Sequence, residues 1–186
     1  MTYAEYLAAE ETAAEKHEYL RGEVWAMAGG TIEHARLAMS FGGELRNALA
    51  EARRPCVVLS SDARVRIRAT DRATYPDLSV VCGGIERASD DPHGIVNPTV
   101  IVEVLSDSTS AEDRGEKFAH YRRLLSLREY VLVSQKEQRL EVYHREGDFW
   151  RLAEARSGQS LRLESLGVAI SVDAVYADPL GAAPPG

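Results

Sequence analysis

Cysteine is scarce in this chain. Cys56 and Cys82 are the only two among 186 residues, and neither lies in a CxxC or Cys/His cluster. That spacing gives no support to zinc. Each cysteine stands beside valine in an apolar run, so both are read as small buried hydrophobes. There is no run of eighteen apolar residues and no signal-peptide pattern, so the expectation is a cytoplasmic protein without membrane association. Basic residues are outnumbered, with Lys+Arg 22 against Asp+Glu 29 and a net charge of −7. A chain of that balance does not coat nucleic acid through overall charge, although a local basic surface or a carboxylate-rich metal site stays open to it. No internal repeat and no linker divides the sequence. Its length suits one mixed α/β domain over residues 1–178, followed by a Pro/Gly-rich tail, 179–186, expected to be disordered.

Local signals order the chain. Thr2 and Glu5 have capping-box spacing for a short first helix, and Glu18 to Met27 reads as a hairpin turning at Arg21-Gly22. Thr31 is a helix N-cap for an apolar stripe that runs to about Ala52, with Gly42-Gly43 suggesting close packing on a sheet. Cys56–Leu59, Ala63–Arg68 and Asp77–Cys82 are strand-like. In the second of these, Val65 and Ile67 should face the core while Arg64, Arg66 and Arg68 line the other face. Those arginines are either a solvated strand face or a set of phosphate contacts. Gly83–Pro98 is a long loop, and Ser106–Thr109 is a dense N-cap signal for a helix ending near Ser126. Strands at 130–133 and 139–144 form a hairpin, with further peripheral strands beyond.

Two carboxylates stand out because their surroundings are apolar. Asp77 opens the run Leu78-Ser79-Val80-Val81, and Glu103 lies inside Val100-Ile101-Val102-Glu103-Val104-Leu105. Period-two alternation puts Glu103 on the same face as Ile101 and Leu105, a face that looks covered. A buried charge is costly unless something compensates it, and a divalent cation is a common compensation. Asp113 and Lys117 follow at i,i+4 spacing, which is a surface salt bridge in most helices. Together, two carboxylates on neighbouring strands and a nearby lysine can form a hard-cation site with a catalytic amine beside it.

Tyr75-Pro76-Asp77, Val102-Glu103-Val104-Leu105-Ser106-Asp107-Ser108-Thr109 and Asp113-Arg114-Gly115-Glu116-Lys117 resemble the Uma-type family of restriction-endonuclease-like PD-(D/E)XK proteins. The likeness extends to Tyr19–Val24, Glu33-His34 and Leu127–Val133. It implies a restriction-endonuclease-like mixed β-sheet flanked by helices, with extra N- and C-terminal strands. It also implies Mg²⁺ or Mn²⁺ on Asp77 and Glu103, and hydrolysis of DNA phosphodiester bonds with Asp77, Glu103 and Lys117 as the catalytic set. The superfamily's lysine sits two residues after the second carboxylate, where this chain has Leu105, and Lys117 on the following helix is the matching amine. Glu18 and His34 are additional site candidates, and Arg64, Arg66, Arg68, Arg114 and Arg122 are candidates for backbone contacts. A homodimer follows by analogy with enzymes that cut two strands. The rival reading is a nuclease fold kept as a nucleic-acid-binding or assembly module without turnover.

Overall fold

Thr2 and Glu5 form a reciprocal cap. Thr2 Oγ1 accepts from Glu5 N at 3.3 Å and Glu5 Oε2 accepts from Thr2 N at 2.7 Å, which starts α1 (Tyr3–Glu10). The computed structural model describes residues 1–27, 29–106, 110–178 and 180–181. β1 (His17–Leu20) and β2 (Glu23–Ala26) make the expected hairpin. Arg21 and Gly22 are both at positive φ, as a tight two-residue turn requires. Thr31 caps α2 (Ile32–Glu51) by accepting from His34 N at 3.1 Å. A Cβ on Gly42 would touch Leu78 at 3.4 Å, so this turn of the helix lies close on the sheet, whereas Gly43 faces open space.

The remaining strands are β3 (Cys56–Ser60), β4 (Arg64–Ile67), β5 (Arg72–Thr74), β6 (Leu78–Cys82), β7 (Arg87–Ala88), β8 (Asp91–Ile95), β9 (Val100–Val104), β10 (Glu129–Val133), β11 (Arg139–Glu146), β12 (Phe149–Arg156), β13 (Ser160–Leu163) and β14 (Val168–Ser171). The central sheet has the order β12-β11-β10-β9-β6-β3, and a second sheet has the order β2-β1-β5-β4-β8-β7. β9 and β10 pair in parallel at the middle of the central sheet, while their outer neighbours are antiparallel. Val100, Val102 and Val104 of β9 face a core built on Leu37, Phe41 and Leu45 of α2. Ile101 and Leu105 face the opposite core with Val65, Tyr121, Tyr130 and Leu132. A strand covered on both faces is apolar nearly throughout, which is why its one carboxylate is conspicuous.

The Gly83–Pro98 stretch is not a structureless loop, because it contains β7 and β8, and β8 pairs in parallel with β4. Asp107–Thr109, most of the predicted N-cap cluster, lie outside the described residues. So does the expected disordered tail except Leu180 and Gly181. Among the described residues no helix is long and apolar enough to cross a membrane.

Two readings of the sequence need correction. Cys56 and Cys82 are partly exposed and joined in a disulfide, so they are not buried hydrophobes. The β3–β6 register sets them directly opposite one another, a relation that spacing along the chain does not reveal. The arginines of β4 are not a solvated face either, since all four β4 residues are buried. Arg64 forks onto Asp91 through Nε and Nη2 at 2.7 and 2.8 Å and reaches Tyr75 Oη through Nη1 at 2.8 Å. Arg66 donates to Asp71 at 2.8 Å and lies 3.6 Å from the centre of the Tyr3 ring. The reason is α1, which lays Tyr3 and Tyr6 against Tyr19 over this face and makes the arginines its anchors. Arg64→Ala would strip the fully buried Asp91 carboxylate of its counter-ion, leaving only the hydrogen bonds from Tyr3 Oη and His93 N. The expected loss is about 3–5 kcal/mol of stability, measurable by urea denaturation.

Candidate active site

β6 and β9 bring the two carboxylates together. Their register pairs Leu78 with Val102, so the next step along the ladder sets Asp77 against Glu103 where the strands begin to part. Side chains take over the backbone's bonding there. Val104 N donates to Asp77 Oδ2 at 2.7 Å, and Asp77 N approaches Glu103 Oε2 at 3.4 Å. The other Asp77 oxygen, Oδ1, lies 2.8 Å from His34 Nε2. His34 stands in the first turn of α2, and its ring passes so close to Gly30 that a Cβ there would meet it at 3.0 Å. The hydrogen bond to Asp77 raises the His34 pKa, with burial opposing it.

Glu103 is 4 % exposed. Burial first, and then the charges of Asp77 and Asp113, push its carboxyl up to about 8, against the opposing pull of Lys117 and a hydrogen bond from Tyr121. That hydrogen bond runs from Tyr121 Oη to Glu103 Oε1 at 2.8 Å. Burial and the neighbouring Glu103 hold the Tyr121 phenol well above its ordinary pKa, so it remains a donor.

Lys117 reaches the same oxygen from an unusual turn. Between α3 (Ser110–Glu112) and α4 (Phe118–Tyr121), residues Asp113–Lys117 wind as a π-helix, a feature that recurs at functional sites. Tyr130 Oη donates to the Asp113 carbonyl at 3.0 Å. The turn sets Lys117 Nζ 3.5 Å from Glu103 Oε1 and 3.0 Å from Asp113 Oδ1. The i,i+4 pair with Asp113 is therefore buried, not a surface bridge. Burial favours a neutral amine, but Glu103 and Asp113 outweigh it and the ammonium's pKa is raised. Leu105, at the superfamily's lysine position, packs in the core beside Tyr121.

Glu18 is buried one layer further in. Arg72 Nη2 donates to its Oε2 at 2.9 Å, and Thr74 Oγ1 donates to its Oε1. Thr74 Oγ1 is also 3.5 Å from Tyr121 Oη, so a chain of polar contacts joins Glu18 to Glu103. Sequence reading missed Tyr121 and Thr74 as site residues, since a tyrosine on an apolar helix face and a threonine in a short strand carry no signal of their own. Asp77, Glu103, Lys117, Glu18 and His34 all line one cavity of about 650 Å³. The phosphate candidates do not gather there. Arg64 and Arg66 are buried in pairs, Arg68 contacts Asp90 and Ser89, Arg114 pairs with Glu141 at 2.5 Å, and Arg122 is exposed.

Asp77 and Glu103 are hard oxygen donors on adjacent strands, and a cation between them would offset both the burial of Glu103 and the neighbouring charges of Asp77 and Asp113 that together raise its pKa. Among the described residues no three His, Cys, Asp or Glu side chains converge as a ready cage. A cation here would keep several waters, which is the habit of Mg²⁺, so the donor set fits that group.

Residues 3–174 match the family described as Uma2, putative restriction endonuclease. The chain belongs to this family. It is 36% identical over 173 residues to the uncharacterized protein slr1290 of Synechocystis sp., covering 92% of this chain and 89% of that one. It is 33% identical over 164 residues to sll1609 of the same organism, covering 88% and 92%. A crystal structure described as a putative nuclease belonging to DUF820, from Anabaena variabilis, superposes with a TM-score of 0.74 at 15% identity. That match covers 95% of this chain and 98% of the other. The Uma2 match makes the chain nuclease-like, and the superposition shows that its mixed α/β architecture is shared with that neighbour.

His34 gives a direct test of how the first carboxylate is oriented. His34→Ala removes the partner of Asp77 Oδ1 and should weaken Mn²⁺ binding about 10- to 100-fold by isothermal titration.

Proposed function

We propose that the chain is a divalent-metal-dependent endonuclease acting on DNA. The observation that carries this reading is the convergence of Asp77, Glu103 and the Lys117 ammonium in one cavity, with Lys117 Nζ 3.5 Å from Glu103 Oε1. Asp77 and Glu103 would hold Mg²⁺ or Mn²⁺, which when bound polarises a phosphate and lowers the pKa of a coordinated water. The residues supply the rest. Glu103, held on one oxygen by Tyr121, presents its other oxygen toward Asp77. Lys117 carries a fixed positive charge at the floor of the cavity, where it can orient the attacking water or stabilise the negative charge that develops on the phosphorus oxygens. His34 keeps Asp77 from turning away. The ammonium is held by two buried carboxylates, so its position does not depend on substrate.

The test is cleavage of plasmid and single-stranded DNA by purified protein with Mg²⁺, with Mn²⁺ and with EDTA. Cleavage that requires the metal supports the reading. Absence of cleavage on every substrate in both metals contradicts it and favours the binding-module alternative.

A further inference from the structure

The cavity has a wall that metal chemistry does not explain. In the β1–β2 hairpin Trp25 pairs directly with Glu18, so the two side chains share a face. Glu18 lines the cavity, and Trp25 and Met27 line it from the same side. Trp25 is partly exposed, and among the described residues no aromatic ring packs on it. Its ring has the Arg72 guanidinium 5.7 Å from its centre. Trp150, by contrast, sits against Phe118 at 5.2 Å and Arg145 at 4.7 Å. A partly exposed indole in the wall of an ionic cleft offers a flat apolar surface, and a nucleobase is one of the few groups that such a surface and a cation-binding site could accept together.

The charge distribution bears on the form of the nucleic acid. Duplex DNA is held mainly through phosphates tracked by Lys and Arg. Here Arg64 and Arg66 are buried in their own ion pairs and Arg114 is engaged by Glu141, while in the cavity lining Glu18, Asp77, Glu103, Glu112 and Asp113 outnumber Lys117 and Lys136. Its volume of about 650 Å³ is in the range of sites that take one small molecule, room for a single nucleotide unit.

We propose that the cleft takes an unpaired strand, with Trp25 stacking on a base of single-stranded DNA beside a phosphate that the cation on Asp77 and Glu103 would hold. This rests on the nuclease reading for its substrate class. Trp25 is then a specificity-determining residue, with Met27 extending the apolar wall.

The experiment measures fluorescence anisotropy of a labelled ten-nucleotide oligothymidylate and of a labelled blunt duplex, with Ca²⁺ replacing Mg²⁺. The proteins are wild type, Trp25→Ala and Trp25→Phe. The expected result is binding of the single strand at least about tenfold tighter than the duplex. Trp25→Ala should weaken it about 10- to 100-fold, Trp25→Phe should restore part of the loss, and Mn²⁺ affinity should be equal in all three. Duplex binding as tight as single-strand binding, or oligothymidylate affinity unmoved by Trp25→Ala, overturns the proposal. Metal-dependent plasmid cleavage that is the same with and without Trp25 would overturn it while leaving the nuclease reading intact. Trp25-dependent binding of the single strand without cleavage of any DNA would uphold the stacking role and remove the nuclease.

Discussion

Glu103→Gln is expected to abolish Mn²⁺ binding and, at the same time, to raise the melting temperature of the metal-free protein. The first effect follows from removing one of two donor carboxylates. The second follows from the carboxyl's pKa, about 8 in the folded chain because of burial and the neighbouring Asp77 and Asp113. In the unfolded chain the same group ionises near its ordinary value of about 4.3. Between those values the folded state holds a proton that the unfolded state has released, so stability falls as pH rises from about 4.5 to about 8 and levels off above. Glutamine imitates the protonated form and can still accept from Tyr121, so the variant lacks this slope. In EDTA at pH 8.5 it should melt about 5 °C or more above wild type, and at pH 4.5 the two should converge. The same proton competes with metal, so wild-type Mn²⁺ affinity should rise toward pH 8. Calorimetry across pH 4.5–8.5 checks the stability claim. A variant less stable than wild type at pH 8.5 would mean that Glu103 serves the fold, not a cation.

Lys117→Ala should lower DNA cleavage by about a hundredfold or more, the loss typical of removing one electrostatic or acid–base group. An ammonium is not a ligand, so Mn²⁺ binding should survive, with its pH dependence moved upward because Lys117 no longer lowers the Glu103 pKa. Stability tells a further part of the story. Lys117 is only 12% exposed and faces Asp113 and Glu103, both buried, so its loss is not the small change expected of a surface pair. With the cation gone, Glu103 should hold its proton to a still higher pH, because Lys117 is the group that pulls its pKa down. Lys117→Arg keeps the charge but puts a planar fork where a compact ammonium fits between two carboxylates, and it should also be slow. Equal cleavage rates in wild type and both variants would remove Lys117 from the mechanism.

Much of the site was legible in the sequence because burial leaves a pattern. The alternation of Ile101, Glu103 and Leu105 placed the glutamate on a covered face, and both residues flank it in the core. The caps at Thr2 and Thr31 and the turn at Arg21-Gly22 are local chemistry, and they form as read. What was not legible depends on contacts distant along the chain. A π-turn at Asp113–Lys117 has no signature in a 3.6-residue period, yet it decides which residues face Glu103. The β4 arginines alternate like a solvated strand, and only the arrival of α1, with Asp91 from a segment read as loop, encloses them. The Cys56–Cys82 pairing needed the β3–β6 register. Trp25 reads as an ordinary hairpin residue until its pairing with Glu18 turns it toward the cavity.

Diffraction from crystals soaked in Mn²⁺, recorded for anomalous scattering, would locate the cation between Asp77 and Glu103. One strong peak is expected, with oxygen atoms of both Asp77 and Glu103 at about 2.1 Å, the remaining positions filled by water, and the Lys117 ammonium close by but outside the coordination sphere. No peak at this site in crystals of protein that cleaves DNA, or a peak that leaves out either carboxylate, would contradict the two-carboxylate site.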